Sequence, residues 1–365
     1  TAGSDCPGIN AAIRGFGKAG TGVYGMQVLG FKDGFRGLVE NHTLKLSGSV
    51  LSGILTAGGT ILGTSRDIPQ AMTVDGAVTD RTQAAVKNYQ EHKLDALVCI
   101  GGKETQSAAL HLQQAGLNVI TLPKAADNDV PMTDLTIGFD TAREIAAQAI
   151  DRLHSTASAN HRIIIVELMG AHSGWLTMGA GIAAGADVIL IPEIPYDTDK
   201  IVQAILKRNK AGKNFSIVAV AESAMSKEVV AFIERSRKIN VKLREGKERL
   251  KVEAQLEKIK NRYSSETLLL ASRLEEATNL ETRITILSYL LRGGTPSATD
   301  RLLATQMSEV CARMVSEGKF GCMINYSAGK IGSVTLEKVV GKTKPMPLDH
   351  PWILAARQMG TSLGD

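Results

Sequence analysis

The chain has 365 residues, a formal net charge of +5, and 44% hydrophobic but only 4% aromatic residues. This length and apolar content suffice for two α/β domains and exclude a disordered or fibrous chain. The longest apolar runs are of strand length, far short of the roughly 20 residues that a membrane helix needs, so no membrane contact is expected. With so few aromatic residues, the basic excess favours anionic small molecules over nucleic acid.

The four cysteines, Cys6, Cys99, Cys311 and Cys322, are widely spaced along the chain. Without a Cys-x-x-Cys pair they indicate neither a zinc site nor a disulfide framework, and a reducing cytoplasm fits them best. We interpret all four as small core hydrophobes.

The sequence opens on a glycine-bearing turn, Thr1–Asn10, and a helix is expected to begin near Pro7 or Gly8. Free backbone N–H groups at a helix start favour a bound phosphate. Such a turn normally follows a strand, so we expect a strand to precede it. A second glycine-rich turn, Gly58–Arg66, carries an arginine that can pair with phosphate oxygens through two N–H groups.

The first two thirds of the chain alternate β-branched runs with amphipathic stretches, a pattern typical of parallel βαβ units. The run Ala96–Ile100 predicts a strand that ends at a third glycine turn, Gly101–Thr105, and a helix is expected from Gln106. Ligands of parallel sheets bind beyond the carboxyl ends of the strands. The three turns, each next to a predicted strand and together offering Arg66 and Lys103, predict a phosphate site. Further strands are predicted at 118–122, 163–166, 188–191, 215–221 and 283–287.

The segment Pro123–Asp129 places two carboxylates, Asp127 and Asp129, directly after a predicted strand. Close carboxylates can divide the work of accepting a proton, holding a hydroxyl and positioning a metal. The alternative is an Asx-rich turn in which Asp127 and Asn128 bond to their own backbone. By itself the segment leaves both interpretations open.

Between 226 and 279 glycine nearly vanishes, Lys, Arg and Glu dominate, and apolar residues recur at helical spacing. We predict two or three exposed helices here. They form either an oligomerisation arm or an insertion whose polar face is solvated, and the insertion is favoured because a charged helical face alone specifies no partner. The apolar positions are Ile239, Leu243, Leu250, Leu256 and Ile259.

Taken in order along nearly the whole chain, these motifs resemble those of the phosphofructokinase family. The opening Thr1–Gly8 is similar to that family's Thr-x-Gly-Gly-Asp-x-Pro-Gly, and Gly101–Thr105 to its Gly-Gly-Asp-Gly-Thr/Ser loop. Pro123–Asp129 resembles Pro-Lys-Thr-Ile-Asp-Asn-Asp. Further matches lie at 58–66, 137–142, 167–170, 172–175, 191–193, 221–222 and 292–296.

The resemblance implies two similar Rossmann-like three-layer domains with mainly parallel sheets and an active site in the cleft between them. Residues 1–131 with 291–340 would bind the phosphoryl donor. Residues 132–290 with 341–365, including the helical insertion 226–279, would bind fructose 6-phosphate. The implied reaction moves a phosphoryl group from pyrophosphate or ATP to the 1-hydroxyl of this sugar, giving fructose 1,6-bisphosphate in glycolysis, with Mg²⁺ as cofactor.

The resemblance also implies roles for single residues. Asp127 matches the general base, and Arg162 and Arg283 match arginines that reach the sugar phosphate across a subunit interface, which implies a homodimer or homotetramer with shared sites. Tyr289 stands where many members carry histidine. The implied sugar-phosphate contacts are Asp129, Arg162, Met169, Gly170, Glu222, Arg283, Tyr289 and Arg292. The implied donor contacts are Gly3, Ser4, Arg66, Gly102, Lys103, Glu104, Thr105 and Lys124.

Several departures from the family pattern fall on the chemistry itself. Lys103 replaces the aspartate that helps hold Mg²⁺, so the ligands of any metal are unknown from the sequence. Ala125 replaces a threonine near the transferred group, and Ser4 adds a side chain where glycine lets phosphate approach the backbone. Two explanations stay open: a chain with reduced or lost catalysis, such as a sugar-phosphate-binding regulatory subunit, or a working subgroup with another donor arrangement. Glu104 and Lys124 favour pyrophosphate as donor, although Lys103 follows neither donor pattern.

Overall fold

The computed structural model of the chain describes residues 1–242 and 266–365. Their contacts divide them into two compact units. The first unit comprises 1–142 and 289–344, and the second comprises 143–288 and 345–365.

The helices and strands alternate along most of the described chain. The strands are β1 Leu29–Phe31, β2 Thr43–Lys45, β3 Met72–Val74, β4 Ala77–Thr79, β5 Leu97–Gly101, β6 Val119–Pro123, β7 Ile163–Leu168, β8 Val188–Leu190, β9 Ser216–Ala221, β10 Thr282–Ile286, β11 Cys322–Ser327 and β12 Lys330–Thr335. The helices are α1 Ile9–Gly22, α2 Phe35–Glu40, α3 Gly48–Leu51, α4 Thr82–Glu91, α5 Lys103–Gln114, α6 Phe139–Asn160, α7 Trp175–Ala183, α8 Thr198–Lys210, α9 Lys227–Lys242, α10 Glu266–Thr278, α11 Ala298–Ser316, α12 Leu336–Val339 and α13 Pro351–Gln358.

The main sheet of the first unit has the strand order β12-β11-β6-β5. β5, β6 and β11 run parallel, and β12 pairs antiparallel with β11. All five residues of β6 are buried, as expected for a parallel strand covered on both faces. Two short antiparallel ribbons, β1-β2 and β3-β4, complete the unit.

A groove of about 890 Å³ lies beside β5 in the first unit. Its lining is largely apolar and comes from α1, β1 and β5, and it includes Ile13, Phe16, Leu29 and Leu97. The strand expected before the opening turn stays a prediction.

The sheet of the second unit has the order β10-β7-β9-β8, and every pair in it is parallel. All six residues of β9 are buried, whereas the residues of β10, at one end of the order, are mostly not. The predicted α/β class with mainly parallel sheets is therefore confirmed. The assignment of donor and sugar to separate domains, and of the active site to a cleft, stays a prediction.

The four cysteines are buried and unpaired, as the sequence indicated. Burial raises the pKa of the Cys6 and Cys99 thiols to about 12, which makes them poor nucleophiles at neutral pH. Across the described ranges, no helix is long and apolar enough to cross a membrane.

Three expectations about local structure need correction or restriction. α5 begins at Lys103 rather than near Gln106, because Gly102 already stands at the helix boundary. The turn 58–66 lies between two 3₁₀ turns, Ile54–Thr56 and Pro69–Ala71, and not beside a strand. The predicted insertion begins and ends in helix, as α9 and α10, but its positions Leu243, Leu250, Leu256 and Ile259 lie outside the described residues.

The start of α6 belongs to the first unit because Asp300 of α11 anchors it. The buried Asp300 carboxylate accepts hydrogen bonds from the N–H groups of Gly138 at 2.9 Å and Thr141 at 2.8 Å. This anchoring holds the start of α6 in the first unit, which extends to residue 142.

Ser297 caps the N-terminus of α11. Its hydroxyl accepts from the Asp300 N–H at 3.1 Å and donates to Asp140 at 2.8 Å. Ser297→Ala is expected to lower the free energy of unfolding by about 1 kcal/mol, because both contacts are lost. Urea unfolding followed by circular dichroism measures this, with Ser316→Ala at the other end of the helix as control. Equal urea midpoints for the two variants would contradict the cap.

Candidate active site

The loop after β6 carries both candidate carboxylates and is pinned by Asn128. Asn128 is buried with a positive φ of 56°, and its side chain donates to the Asp134 carbonyl at 2.9 Å and accepts from the Thr136 N–H at 3.0 Å. These bonds cross the loop, whereas an Asx turn would bond within it. Asn128 thus fixes the backbone that presents the half-buried Asp127.

Lys103 and Asp129 form an ion pair at the ends of two neighbouring strands. β5 and β6 run side by side with Gly101 opposite Pro123, so the residues that follow each strand come together. The Lys103 Nζ lies 2.7 Å from the Asp129 Oδ2, and the two side chains are only 23% and 10% exposed. The position where the resemblance implies an acidic metal ligand therefore holds a positive charge bound to a carboxylate.

Lys124 links the opening turn to this loop. Its ammonium donates to the Ser4 carbonyl, and burial is the main cause that lowers its pKa from the usual value of a lysine. Gly3 has a φ of +80°, and a Cβ there would lie 3.7 Å from the Lys124 Nζ and 3.8 Å from the Thr105 Oγ1. The first and third glycine turns therefore lie next to each other around Lys124.

The second glycine turn lies against the first. The Gly3 N–H donates to the Ser65 carbonyl at 2.8 Å, and the Arg66 guanidinium lies 3.4 Å from the Ser4 hydroxyl. The buried Asn10 holds the start of this turn by donating to the Gly58 carbonyl at 3.0 Å. The arginine of the second turn is thus held beside the serine of the first.

Arg292 belongs to the same group of segments. Its guanidinium carbon lies 4.9 Å from the ring centre of Tyr289, and its buried Nε finds no hydrogen-bond partner among the residues that the structure describes. A Cβ on Gly58 would lie only 2.5 Å from the Gly294 carbonyl oxygen, so glycine is required where these loops meet. The positive charge of Arg292 is also one of the smaller causes that lower the pKa of Lys124, after burial.

Within the first unit, the structure therefore brings together most of the predicted donor residues. Glu104 is exposed at the start of α5, and Tyr289 is exposed as well. Members of the assembled group are Gly3, Ser4, Arg66, Gly102, Lys103, Thr105, Lys124, Asp127, Asp129 and Arg292.

The side chains of this site do not fit a protein-bound Mg²⁺. Such an ion prefers oxygen ligands, and the expected acidic position carries the Lys103 ammonium. In the described part of the chain, no group of three or more His, Cys, Asp or Glu residues could hold a metal ion. The chain itself therefore offers cations, and not a metal-binding cluster, to an incoming phosphate.

Lys344 is a residue of this site that the sequence did not reveal. Its ammonium donates to the Asp134 carbonyl at 2.8 Å, and the charges of both Asp134 and Asp129 act on it. Desolvation by burial outweighs both carboxylates and lowers the pKa of Lys344 to about 8. No motif marks this position, because it lies in a polar segment far along the chain from Asp129.

A lysine with this pKa should be unusually reactive. At pH 8 about half of the Lys344 amines would be neutral, whereas an ordinary lysine is less than about 1% neutral there. Trinitrobenzenesulfonate at pH 8 is therefore expected to modify Lys344 in a fast phase that slows as the pH falls below 8. Lys344→Arg should reduce the amplitude of this phase by one amine per chain, and an unchanged amplitude in that variant would contradict the assignment.

In the second unit, the predicted sugar-binding residues form two separate groups. Leu168 and Ala221 pair at the carboxyl ends of β7 and β9, and the Glu222 carboxylate that follows accepts from the Gly170 N–H at 3.2 Å. Met169 lies in the same turn, directly before Gly170. This first group is therefore held together by the ends of two adjacent strands.

The second group lies at the amino ends of the strands. Arg162 precedes β7 and pairs with Glu281 at 2.5 Å, and Arg283 of β10 pairs with the same carboxylate. One chain therefore holds these two arginines at the opposite end of the sheet from Glu222.

The sequence of the chain matches a known protein family. The sequence model described as phosphofructokinase matches residues 1–315. The chain belongs to the phosphofructokinase family.

Relatives in this family match over the whole chain. The chain is 50% identical to an "ATP-dependent 6-phosphofructokinase" of Propionibacterium freudenreichii, covering 100% of this chain and 98% of the relative. It is 46% identical to a protein of the same name from Spirochaeta thermophila, covering 100% of this chain and 96% of the relative.

Solved phosphofructokinase structures share the fold. A pyrophosphate-dependent phosphofructokinase from Marinobacter aquaeolei superposes with a TM-score of 0.76 at 19% identity, covering 100% of this chain and 91% of the other. The phosphofructokinase from Saccharomyces cerevisiae gives 0.75 at 27% identity, covering 93% of this chain and 44% of the other.

Proposed function

We propose that the chain is a 6-phosphofructokinase-type phosphotransferase that moves a phosphoryl group onto the 1-hydroxyl of fructose 6-phosphate. The observation that carries this proposal is end-to-end similarity, at 50% identity, to a relative named for this activity. The meeting of the first and third glycine turns around Lys124, with the second turn against the first and the loop of Asp127 nearby, supports it. Electrostatic stabilisation is the main requirement of phosphoryl transfer, and these cations supply it.

The roles follow from the positions of the side chains. Asp127 accepts the proton of the sugar 1-hydroxyl. The hydroxyl oxygen attacks the phosphorus of the donor, and the bond from phosphorus to the leaving phosphate breaks. Lys124 and Arg66 hold the donor phosphates. Arg292 binds the 6-phosphate of the sugar, with Met169, Gly170 and Glu222 on the sugar itself.

Pyrophosphate is the proposed donor, because Glu104 and Lys124 occupy the positions that differ between the two donor types. The curated relatives carry ATP in their names, which favours ATP as the alternative. A coupled assay with fructose 6-phosphate and either donor separates them. If the chain showed no turnover with either donor while a control enzyme was active, the proposed enzymatic function would be contradicted.

The family resemblance implies Mg²⁺ as cofactor. The side chains of the site do not fit a bound metal ion, so the residue roles above do not include one. Repeating the coupled assay with added Mg²⁺ and with EDTA tests that expectation directly. The pure protein, dialysed against EDTA beforehand, is the starting material for both arms.

A second candidate function is a sugar-phosphate-binding subunit without catalysis. Lys103 and Ala125 favour it, because they replace an acidic residue and a hydroxyl near the transferred group. Lys103→Asp combined with Ala125→Thr tests it. A rate gain of orders of magnitude over an inactive parent would identify these two positions as the cause of silencing.

We also propose that the active sites are shared between copies of the chain. Arg162 and Arg283 lie at the end of the sheet away from Glu222, so they are available to a site on another subunit. Light scattering of the purified protein should show a dimer or tetramer. A monomer with full activity would contradict sharing.

A further inference from the structure

We infer that the Lys103 ammonium is a tethered cation that binds the donor phosphates in place of a divalent metal ion. Donor binding by this chain is then independent of added Mg²⁺. The inference rests on the proposed function, because it concerns the donor site of that reaction. It goes beyond that function in naming which charge the chain uses there.

Lys103 lies at a place where an anion can bind. It is the first residue of α5, immediately after Gly101-Gly102 at the end of β5, where backbone N–H groups are available to an anion. A cation at a helix N-terminus is opposed by the helix dipole. Here the Asp129 carboxylate, 2.7 Å away, offsets that cost. Because the helix dipole still opposes this ammonium, a second anion beside it would stabilise it further.

The charges at this position balance without a metal ion. Two carboxylates and a divalent cation sum to zero, and so do the single Lys103 and Asp129 charges. The substitution of lysine therefore replaces both the acidic side chain and the metal at once. The net charge of the site that binds the incoming phosphates is therefore unchanged.

Lys344 places a second ammonium beside the loop that carries Asp129. The Lys344 ammonium donates to the Asp134 carbonyl at 2.8 Å, so the loop that carries Asp129 keeps a positive charge when Lys103 turns part of its hydrogen-bonding capacity to a phosphate. An ammonium has three N–H donors and can bond to the carboxylate and to a phosphate oxygen together. Lys124 and Arg66 then add two further side-chain cations to the site.

The experiment titrates the full-length protein by calorimetry with pyrophosphate and, separately, with ATP, in EDTA and in excess Mg²⁺. The wild-type chain is expected to bind one of the two donors in EDTA, with a Kd within about threefold of the value in Mg²⁺. Lys103→Met should weaken binding in EDTA by about tenfold or more, the effect of losing a charge-assisted bond to phosphate. Lys87→Met, an exposed lysine of α4, is the matched control and should bind as wild type.

Lys103→Asp should show the opposite dependence of donor binding on metal ions, and it allows a second measurement. This variant should lose donor binding in EDTA, regain it with Mg²⁺, and hold Mn²⁺ detectable by electron paramagnetic resonance in the presence of pyrophosphate. The wild-type chain and Lys87→Met should both show no such Mn²⁺ signal.

Three results would overturn the inference. They are a wild-type chain that binds neither donor without metal, a Lys103→Met variant that binds the donor in EDTA as tightly as wild type, and a wild-type Mn²⁺ site equal to that of Lys103→Asp. The first result needs no variant, so a misfolded mutant cannot hide it. Failure of the proposed function is a separate result, since it appears as absent turnover of fructose 6-phosphate while the binding titrations can still be read.

Discussion

Replacing Asp127 by asparagine is expected to lower kcat by about 10²–10⁴-fold, the usual contribution of a general base. Asparagine keeps the shape of the side chain but cannot take the proton of the attacking hydroxyl. The loop should keep its conformation, because the Asn128 side chain makes two bonds that cross it. The coupled assay measures kcat, and calorimetry measures the affinity for fructose 6-phosphate, which should stay within about threefold of wild type because the base acts in the transition state.

The matched control for this change is Asp75→Asn. Asp75 is an exposed residue with positive φ between β3 and β4, a conformation that asparagine also tolerates. It should leave kcat and sugar affinity unchanged. If Asp127→Asn retained the wild-type kcat, Asp127 would not be the base. If it lost sugar binding altogether, its role would be in binding instead.

The parallel sheets and the ends of their strands could be predicted from the sequence, because β-branched runs followed by glycine or acidic residues are a local signal. β5, β6, β7 and β9 all lie within about two residues of their predicted bounds, as is usual for strongly patterned segments. The start of α5 was placed too late. Lys103 and Glu104 belong to a helix although they match a loop motif, because a helix can begin directly after a glycine.

Contacts between distant segments of the site could not be read from the sequence. In the sequence, Lys103 is visible only as a departure from the family pattern. Its ion pair with Asp129 depends on the strand register of β5 and β6. The same applies to Lys344, whose lowered pKa comes from burial and not from its neighbours in sequence. Asn10 and Asn128 shape two of the loops, yet a buried asparagine has no sequence signature of its own.

Replacing Arg292 by alanine is expected to raise KM for fructose 6-phosphate by about 10–100-fold, which corresponds to losing a hydrogen-bonded contact between charged groups. The buried Arg292 Nε lacks a partner in the described structure, so a phosphate oxygen can take that place. kcat should change little if the 6-phosphate is bound equally in the ground state and the transition state. Arg292→Lys should recover only part of the affinity, because an ammonium cannot form the paired bonds of a guanidinium.

The effect of Arg292 is separable from a general loss of structure. Since the Nε has no partner, truncation leaves no buried acceptor unpaired there, and the stacking on the exposed Tyr289 ring contributes no more than about 1 kcal/mol. Arg313→Ala, on the partly exposed face of α11, is the matched control and should keep the wild-type KM. Fructose without its phosphate serves as a second probe. Arg292→Ala should bind this sugar as the wild-type chain does, and an equal loss of affinity for both sugars would place Arg292 on the ring and not on the phosphate.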